Sequence, residues 1–168
     1  SSPSIYFDGR DHLGLTEEQV PKRFKHPYAA TKYLAEQKVF GAQEFGLEVL
    51  ALRPRFVTGA GDMSIFPRLL KMQRKKRLAI VGDGLNKVDF TSIHNLNEAL
   101  LSSLLAPGSA LGRAYNISNG APVPVWDVVN YVMRQMELPQ VTRYRSYGLS
   151  YSVAALNEAV CALWPGRP

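Results

Sequence analysis

Tyr28 and Lys32 stand four residues apart in the run Tyr-Ala-Ala-Thr-Lys. On a helix that spacing brings both side chains out of one face, a turn apart. A free phenol, with a pKa of about 10, is a poor acid and a poor base at neutral pH. An ammonium beside it stabilises the phenolate and turns the phenol into a usable proton carrier. Hydride transfer to or from a carbonyl carbon needs such a carrier at the oxygen. A hydroxyl that holds the oxygen as charge develops would complete the set, and Ser1 and Ser2 are the candidates for it. In a chain with eight tyrosines one such spacing is weak evidence alone. A surface lysine beside a half-buried tyrosine explains it as well.

The elements that must position these residues are legible in the pattern around them. Pro27 suits a first helical turn, Ala35, Val39 and Phe40 continue a helix-compatible pattern, and Gly46 can stop it, so a helix is expected over 27–45. Residues 1–7 read as the end of a buried strand and 8–25 as a surface loop. The apolar run 47–52, stopped by Pro54, reads as a buried strand. Gly59-Ala60-Gly61 forms a loop. Beyond it the chain predicts a helix over 66–74, a strand over 78–81, a turn at Gly82-Asp83-Gly84 and an extended segment over 88–93. Next come a helix over 95–105 capped by Asn95, a strand over 114–117 and a helix over 125–136. This alternation predicts an α/β fold with a mostly parallel sheet. The apolar stretch 147–164 is shorter than the roughly 20 residues of a membrane span. It reads as a packed or partner-facing helix, with a helix lying on a membrane surface as the alternative.

Composition narrows the classes. Hydrophobic residues at 46% and charged residues at 20% match a globular domain with a real core. The net charge of +6 would permit a nucleic-acid partner. Part of it, however, is the run Lys71, Arg74, Lys75, Lys76 and Arg77 at the end of a helix, where cations favour the dipole and stay solvated, so none is expected. The sole cysteine, Cys161, cannot form an internal disulfide, and no Cys/His cluster has metal-ligand spacing. Both fit a reducing compartment and no structural metal. The expected compartment is the cytoplasm or the cytoplasmic face of a membrane. The chain starts without Met, on a segment of buried character, and is expected to be the later part of a longer one.

Several landmarks occur in a meaningful order: Ser1 to Phe7, Tyr28 to Lys32, then Leu52-Arg53-Pro54 followed by Gly59. The order resembles extended short-chain dehydrogenases, and among them the branch of 3β-hydroxysteroid dehydrogenases and sterol-4-carboxylate 3-dehydrogenases. Gly82-Asp83-Gly84, Asp89-Phe90, Asn95-Leu96 with Ala99, and Tyr115 to Gly120 are similar to the same family's later landmarks, so the likeness runs over residues 1–135. It implies an NAD(P)-binding Rossmann-type fold. Residues 1–57 would be the C-terminal part of the dinucleotide-binding domain with its Tyr-Lys helix. Residues 58–168 would be a mixed substrate-binding region interleaved with the last Rossmann elements. By the same resemblance Tyr28 moves the proton, Lys32 tunes it and holds the nicotinamide ribose, and Ser2 is the catalytic hydroxyl, with Ser1 as the alternative. Pro54, Arg55, Phe56 and Val57 would approach the nicotinamide mainly through backbone, a plain strand exit being the other reading. The implied cofactor is NAD or NADP, the implied partner a small-molecule substrate. Paired-helix homodimers built on the helix at Pro27 are implied as well.

Two departures matter. No G-x-G-x-x-G turn is present to bind a pyrophosphate at a helix N-terminus, so this stretch by itself is expected to bind dinucleotide poorly and to be inactive. Val88 occupies the place where the nucleotide-sugar enzymes of the extended group carry an arginine. The apolar residue favours a sterol-like or other hydrophobic alcohol or ketone, although Lys87 next to it could partly substitute. A nucleotide-sugar epimerase or reductase, and a non-catalytic Rossmann remnant acting as an interaction module, are the rival readings. His26 reads as a surface residue, His94 as a capping or packing one, and Trp126 and Trp164 as core.

Overall fold

The computed structural model describes residues 1–163. Its regular elements are α1 (Pro27–Gly41), β1 (Ala51–Pro54), β2 (Val57–Thr58), α2 (Phe66–Arg74), β3 (Ile80–Val81), β4 (Lys87–Val88), β5 (Thr91–Ser92), α3 (Ile93–Leu104), β6 (Ala114–Ile117), β7 (Val123–Pro124), α4 (Val125–Gln135), β8 (Tyr144–Arg145) and α5 (Tyr147–Leu163). The strands form four two-stranded ladders. β1 with β6, β2 with β5 and β3 with β8 are parallel, and β4 with β7 is antiparallel. Helices between parallel strands make this an α/β fold. Two compact units are each built from separated stretches: residues 1–61 with 89–122, and residues 62–88 with those from 123 onward.

In the first unit α1 begins at Pro27, where the missing N–H costs nothing. It passes into a 3-10 turn, Ala42–Phe45, that Gly46 ends in the left-handed conformation at φ 82°. The expected helix thus stands, with its last turn tightened. The strand after it starts later than expected. Leu47 donates back to the Ala42 carbonyl at 3.4 Å and closes the helix end, so the ladder runs only from Ala51 to Pro54, in register with Ala114 to Ile117. Ala51 and Arg53 are buried on one face of β1 while Leu52 and Pro54 are half-buried on the other.

Two expectations need correction. Residues 1–7 are not a strand end. Pro3–Tyr6 is a 3-10 turn, because Ser2 stays extended and its Oγ accepts from the Ser4 N–H at 3.3 Å while Pro3 starts the turn. Ile5 and Tyr6 are buried, as a core segment requires. The cap of α3 is Ser92, not Asn95: the Ser92 Oγ accepts from the Asn95 N–H at 3.1 Å. A serine at that point reaches the third helical N–H directly, and the Asn95 amide is left to donate to Asn119 at 2.9 Å.

The second unit has an apolar centre of Leu78, Ile80, Val129, Met133 and Val141, with Leu69, Leu70, Val125, Trp126 and Leu138 packed around it. Trp126 is core material, as its helical pattern suggested. Gly84, at φ 74°, must be glycine, since a Cβ there would meet the Ile80 Cγ2 at 2.8 Å. α2 fits its expected bounds, and Asp62 anchors its start by accepting from the Ile65 and Phe66 N–H groups. α5 carries exposed Leu149, Val153, Leu156 and Val160. Trp164, expected as core, lies outside the described residues. Among those described, no helix is long and apolar enough to cross a membrane.

Candidate active site

The Tyr28 and Lys32 side chains lie on one face of α1, with the Lys32 Nζ 5.8 Å from the centre of the Tyr28 ring. Tyr28 is 57% exposed, which leaves its hydroxyl open to a ligand. Its backbone carbonyl accepts from the Thr31 hydroxyl at 2.9 Å, an ordinary tie within the turn. In the first unit a groove of about 520 Å³ runs beside Lys32. Lys32 and Glu36 of α1, Leu52 and Pro54 of β1, and Leu96 and Leu100 of α3 help line it.

The structure brings some of the expected site residues to this groove and not others. Lys32, Pro54 and Ser1 line it, whereas Ser2, Tyr28, Arg55, Phe56 and Val57 do not. The Ser2 hydroxyl is engaged with Ser4, at 3.0 Å from the Ser4 Oγ. In the strand exit, Pro54 offers no N–H and the Arg55 N–H is taken by the Ile117 carbonyl at 2.9 Å and the Thr91 Oγ1 at 3.1 Å. Backbone donation to a ligand from those two positions is therefore closed. Phe56 follows with φ 41°, in the left-handed region that a bulky side chain adopts only when its surroundings impose it. The Phe56 carbonyl accepts from Thr91 at 3.2 Å, its ring packs 6.0 Å from Phe90, and the Arg55 guanidinium lies 5.1 Å over that ring. His26 precedes α1 without capping it and stacks on Phe7 at 5.2 Å. His94 is exposed in the first turn of α3.

The residues that hold this site together were not singled out by sequence. Arg53 and Glu36 form a buried pair, Nε to Oε2 at 3.0 Å and Nη2 to Oε1 at 2.5 Å. The Arg53 Nη1 donates to the Tyr6 hydroxyl and, at 3.0 Å, to the Glu17 carbonyl. Tyr6 donates in turn to the Asn116 Oδ1 at 2.9 Å, and the Asn116 N–H donates to the Glu17 Oε1 at 2.7 Å. One guanidinium therefore joins the 3-10 turn after Ser2, the loop at Glu17, the helix of Tyr28 and Lys32, and the strand leading to Pro54. Burial pushes the Glu36 carboxyl up, but the hydrogen bonds and charge of Arg53 outweigh it and hold it below its ordinary value. Burial pushes the Tyr6 phenol up, which keeps it neutral and suits a structural donor. A signal did exist: an arginine between apolar neighbours in a short strand, and a glutamate one turn beyond Lys32.

The second lock is Thr91, fully buried. Its hydroxyl donates to the Arg55 carbonyl at 2.6 Å, with the Ile117 carbonyl 2.9 Å away. It ties the strand exit to the end of β6. Beyond it Gly59 passes the start of α3 so closely that a Cβ would lie 2.5 Å from the Ile93 Cγ2.

Comparison with known proteins gives this arrangement relatives. A sequence model of the 3-beta hydroxysteroid dehydrogenase/isomerase family matches residues 1–146. The chain is 44% identical over 171 residues to a 2-alkyl-3-oxoalkanoate reductase of Stenotrophomonas maltophilia, covering 98% of this chain and 51% of that protein. It is 33% identical over 141 residues to the decarboxylating sterol-4-alpha-carboxylate 3-dehydrogenase of Homo sapiens, covering 79% of this chain and 38% of that one. Among solved structures, MoeE5 in complex with UDP-glucose and NAD superposes with a TM-score of 0.68 at 30% identity, over 87% of this chain and 50% of the other. The chain thus spans about half the length of the curated relatives it matches, or less.

Proposed function

The chain belongs to the 3-beta hydroxysteroid dehydrogenase/isomerase family, and from that premise we propose that it is the part of an NAD(P)-dependent dehydrogenase or reductase that carries the proton-transfer residues. The substrate is a secondary alcohol or ketone of hydrophobic character, and the reaction is reversible hydride transfer. One observation carries the reading: an exposed tyrosine with a lysine ammonium one turn away on the same helix face, the lysine lining an apolar groove.

The residues present fit only the nicotinamide end of a dinucleotide. Lys32 at the groove and the strand exit from Pro54 to Val57 would meet the ribose and ring, whereas a glycine-rich turn for the pyrophosphate is missing from this sequence. A bound nicotinamide supplies or takes the hydride. This chain's own work is at the oxygen. Tyr28 gives a proton to the forming alcohol or takes one from it, Lys32 stabilises the phenolate left behind, and Ser2, or Ser1, orients the carbonyl oxygen. Residues 1–57 belong in this reading to the dinucleotide-binding domain and 58–168 to a substrate-binding region with the last Rossmann elements. α1, with exposed Leu34 and Val39, is the helix offered for a homodimer.

In the full-length protein, Tyr28→Phe is expected to lower kcat for NAD(P)H-dependent ketone reduction by about 10²- to 10⁴-fold without unfolding it. Unchanged turnover would overturn the assignment. The isolated chain is expected to bind NADH more weakly than about 1 mM by fluorescence titration, because the phosphate-binding turn is absent. A second reading, a nucleotide-sugar epimerase or reductase, is favoured by the 30% identity to a protein solved with UDP-glucose. It requires Val88→Arg to improve nucleotide-sugar binding in the full-length protein, and a hydrophobic-substrate enzyme gains nothing from that change.

A further inference from the structure

We infer that Arg53 is a positioning residue that keeps Lys32 available, by occupying both oxygens of the one carboxylate that helix spacing would otherwise hand to that lysine. The inference rests on the reading that Lys32 serves Tyr28. Glu36 follows Lys32 by four residues on α1, the separation at which lysine and glutamate pair across a helical turn. Both residues line the same groove. Even so, the ion pairs among the described residues join Glu36 to Arg53 and His12 to Asp8, and no carboxylate lies within 4.0 Å of Lys32.

The geometry explains which cation wins. The Arg53 fork meets Glu36 through two parallel contacts, 3.0 Å and 2.5 Å, and both side chains are buried. An ammonium is a single point donor and cannot match that bidentate fit. Arg53 is itself fixed by its donations to Tyr6 and the Glu17 carbonyl, so it cannot swing away. The groups that face Glu36 are Arg53 from β1, the Ser1 amine from the start of the chain, and Lys32 from its own helix. Glu36 is held ionised, so without Arg53 its two oxygens are left to the Ser1 amine and to Lys32, the cation four residues before it on its own helix. Lys32 would then turn one helical turn away from Tyr28.

Labelling of the whole chain with N-hydroxysuccinimidyl acetate, followed at Lys32 by peptide mass spectrometry, tests this, with exposed Lys38 of the same helix as reference. Arg53→Met is expected to slow acetylation of Lys32 relative to Lys38 by about fivefold, the factor of one partly shielded ion pair. The double variant Glu36→Gln/Arg53→Met is expected to return it to the unsubstituted rate. A purely structural role for Arg53 predicts no such selective protection and no recovery. Should Arg53→Met fail to fold, Arg53→Lys gives the same reading, because a single ammonium leaves one Glu36 oxygen free and slows labelling by about twofold. A folded Arg53→Met or Arg53→Lys in which Lys32 reacts as fast as in the unsubstituted chain overturns the inference. The assay needs no cofactor and no substrate, so its failure leaves the dehydrogenase reading intact. Loss of that reading through an active Tyr28→Phe enzyme leaves the labelling result unaffected.

Discussion

Helix α1 buries two of its fifteen residues, Ala29 and Glu36, whereas α4 buries Val129 and Met133 in an apolar cluster. The contrast extends to the units that contain them. Every buried polar or charged residue among those described, namely Glu36, Arg53 and Thr91, belongs to the first unit, and the second unit's buried side chains are all apolar. Apolar packing is non-directional and tolerates repacking. A bidentate ion pair admits one register between helix and strand. On the proposed function the first unit has to hold a phenol, an ammonium and a strand exit in fixed relation, and directional contacts hold it. The unit without that demand relies on burial.

The strongest way to break this contrast is to remove one partner of the pair. Arg53→Met takes the bidentate partner away from a buried carboxylate and is expected to destabilise the first unit by about 4 kcal/mol in urea unfolding, with native-state hydrogen exchange placing the loss in α1 and β1. Glu36→Leu/Arg53→Met is expected to recover most of that loss. A double variant as unstable as the single would show that the pair is not what fixes the unit. Next in size, Met133→Ala empties the centre of the second unit and is expected to cost about 3 kcal/mol. Exchange protection should fall around α4 and β3 and stay unchanged in α1.

Thr91→Val sharpens the contrast within the first unit. It keeps the shape of the side chain and removes the hydroxyl that serves Arg55 and Ile117, and is expected to cost about 1.5 kcal/mol by the same unfolding assay. Measured loss near zero would mean that water reaches the strand exit.

The smallest expected effect is acid dependence, and its sign is the same in both units. Burial would raise the Asp62 carboxyl, but the N–H groups of Ser64, Ile65 and Phe66 and the Ser64 hydroxyl outweigh it and hold it at about 2, against an ordinary 3.8. A folded value below the unfolded one gives stability that is fully present above pH 3.8 and is lost as the pH falls toward 2. Glu36, also lowered, adds a contribution present above its ordinary 4.5 and lost in more acid solution. Urea midpoints measured from pH 6 downward should fall in both units. Asp62→Asn should flatten only the second unit's lowest-pH portion, and a slope unchanged by that substitution would remove Asp62 as its source.

The local chemistry was readable without coordinates where a residue acts on its own neighbours. Pro27 and Gly46 bracket the helix and glycines mark the turns, whereas the start of α3 is expected at Asn95 and lies at Ser92. The four-residue spacing of Tyr28 and Lys32 could yield only one relative placement on a helix, and the structure has it. The turn at Ser2 was less readable. Capping by a serine hydroxyl and the end of an extended segment look alike until the Ser4 N–H is seen to be taken.

From its sequence alone this chain determined its helix and strand alternation, the family it resembles, and the Tyr28–Lys32 pair, because each depends on spacing within one element or on the order of short motifs. Only the tertiary structure decided that Arg53 would be spent on Glu36 across 17 residues of sequence and on Tyr6 across 47. It also decided that Thr91 would lock a strand exit 36 residues away. Partners so distant in sequence are selected by which buried donors and acceptors meet when helix and sheet pack, and no local pattern encodes that meeting.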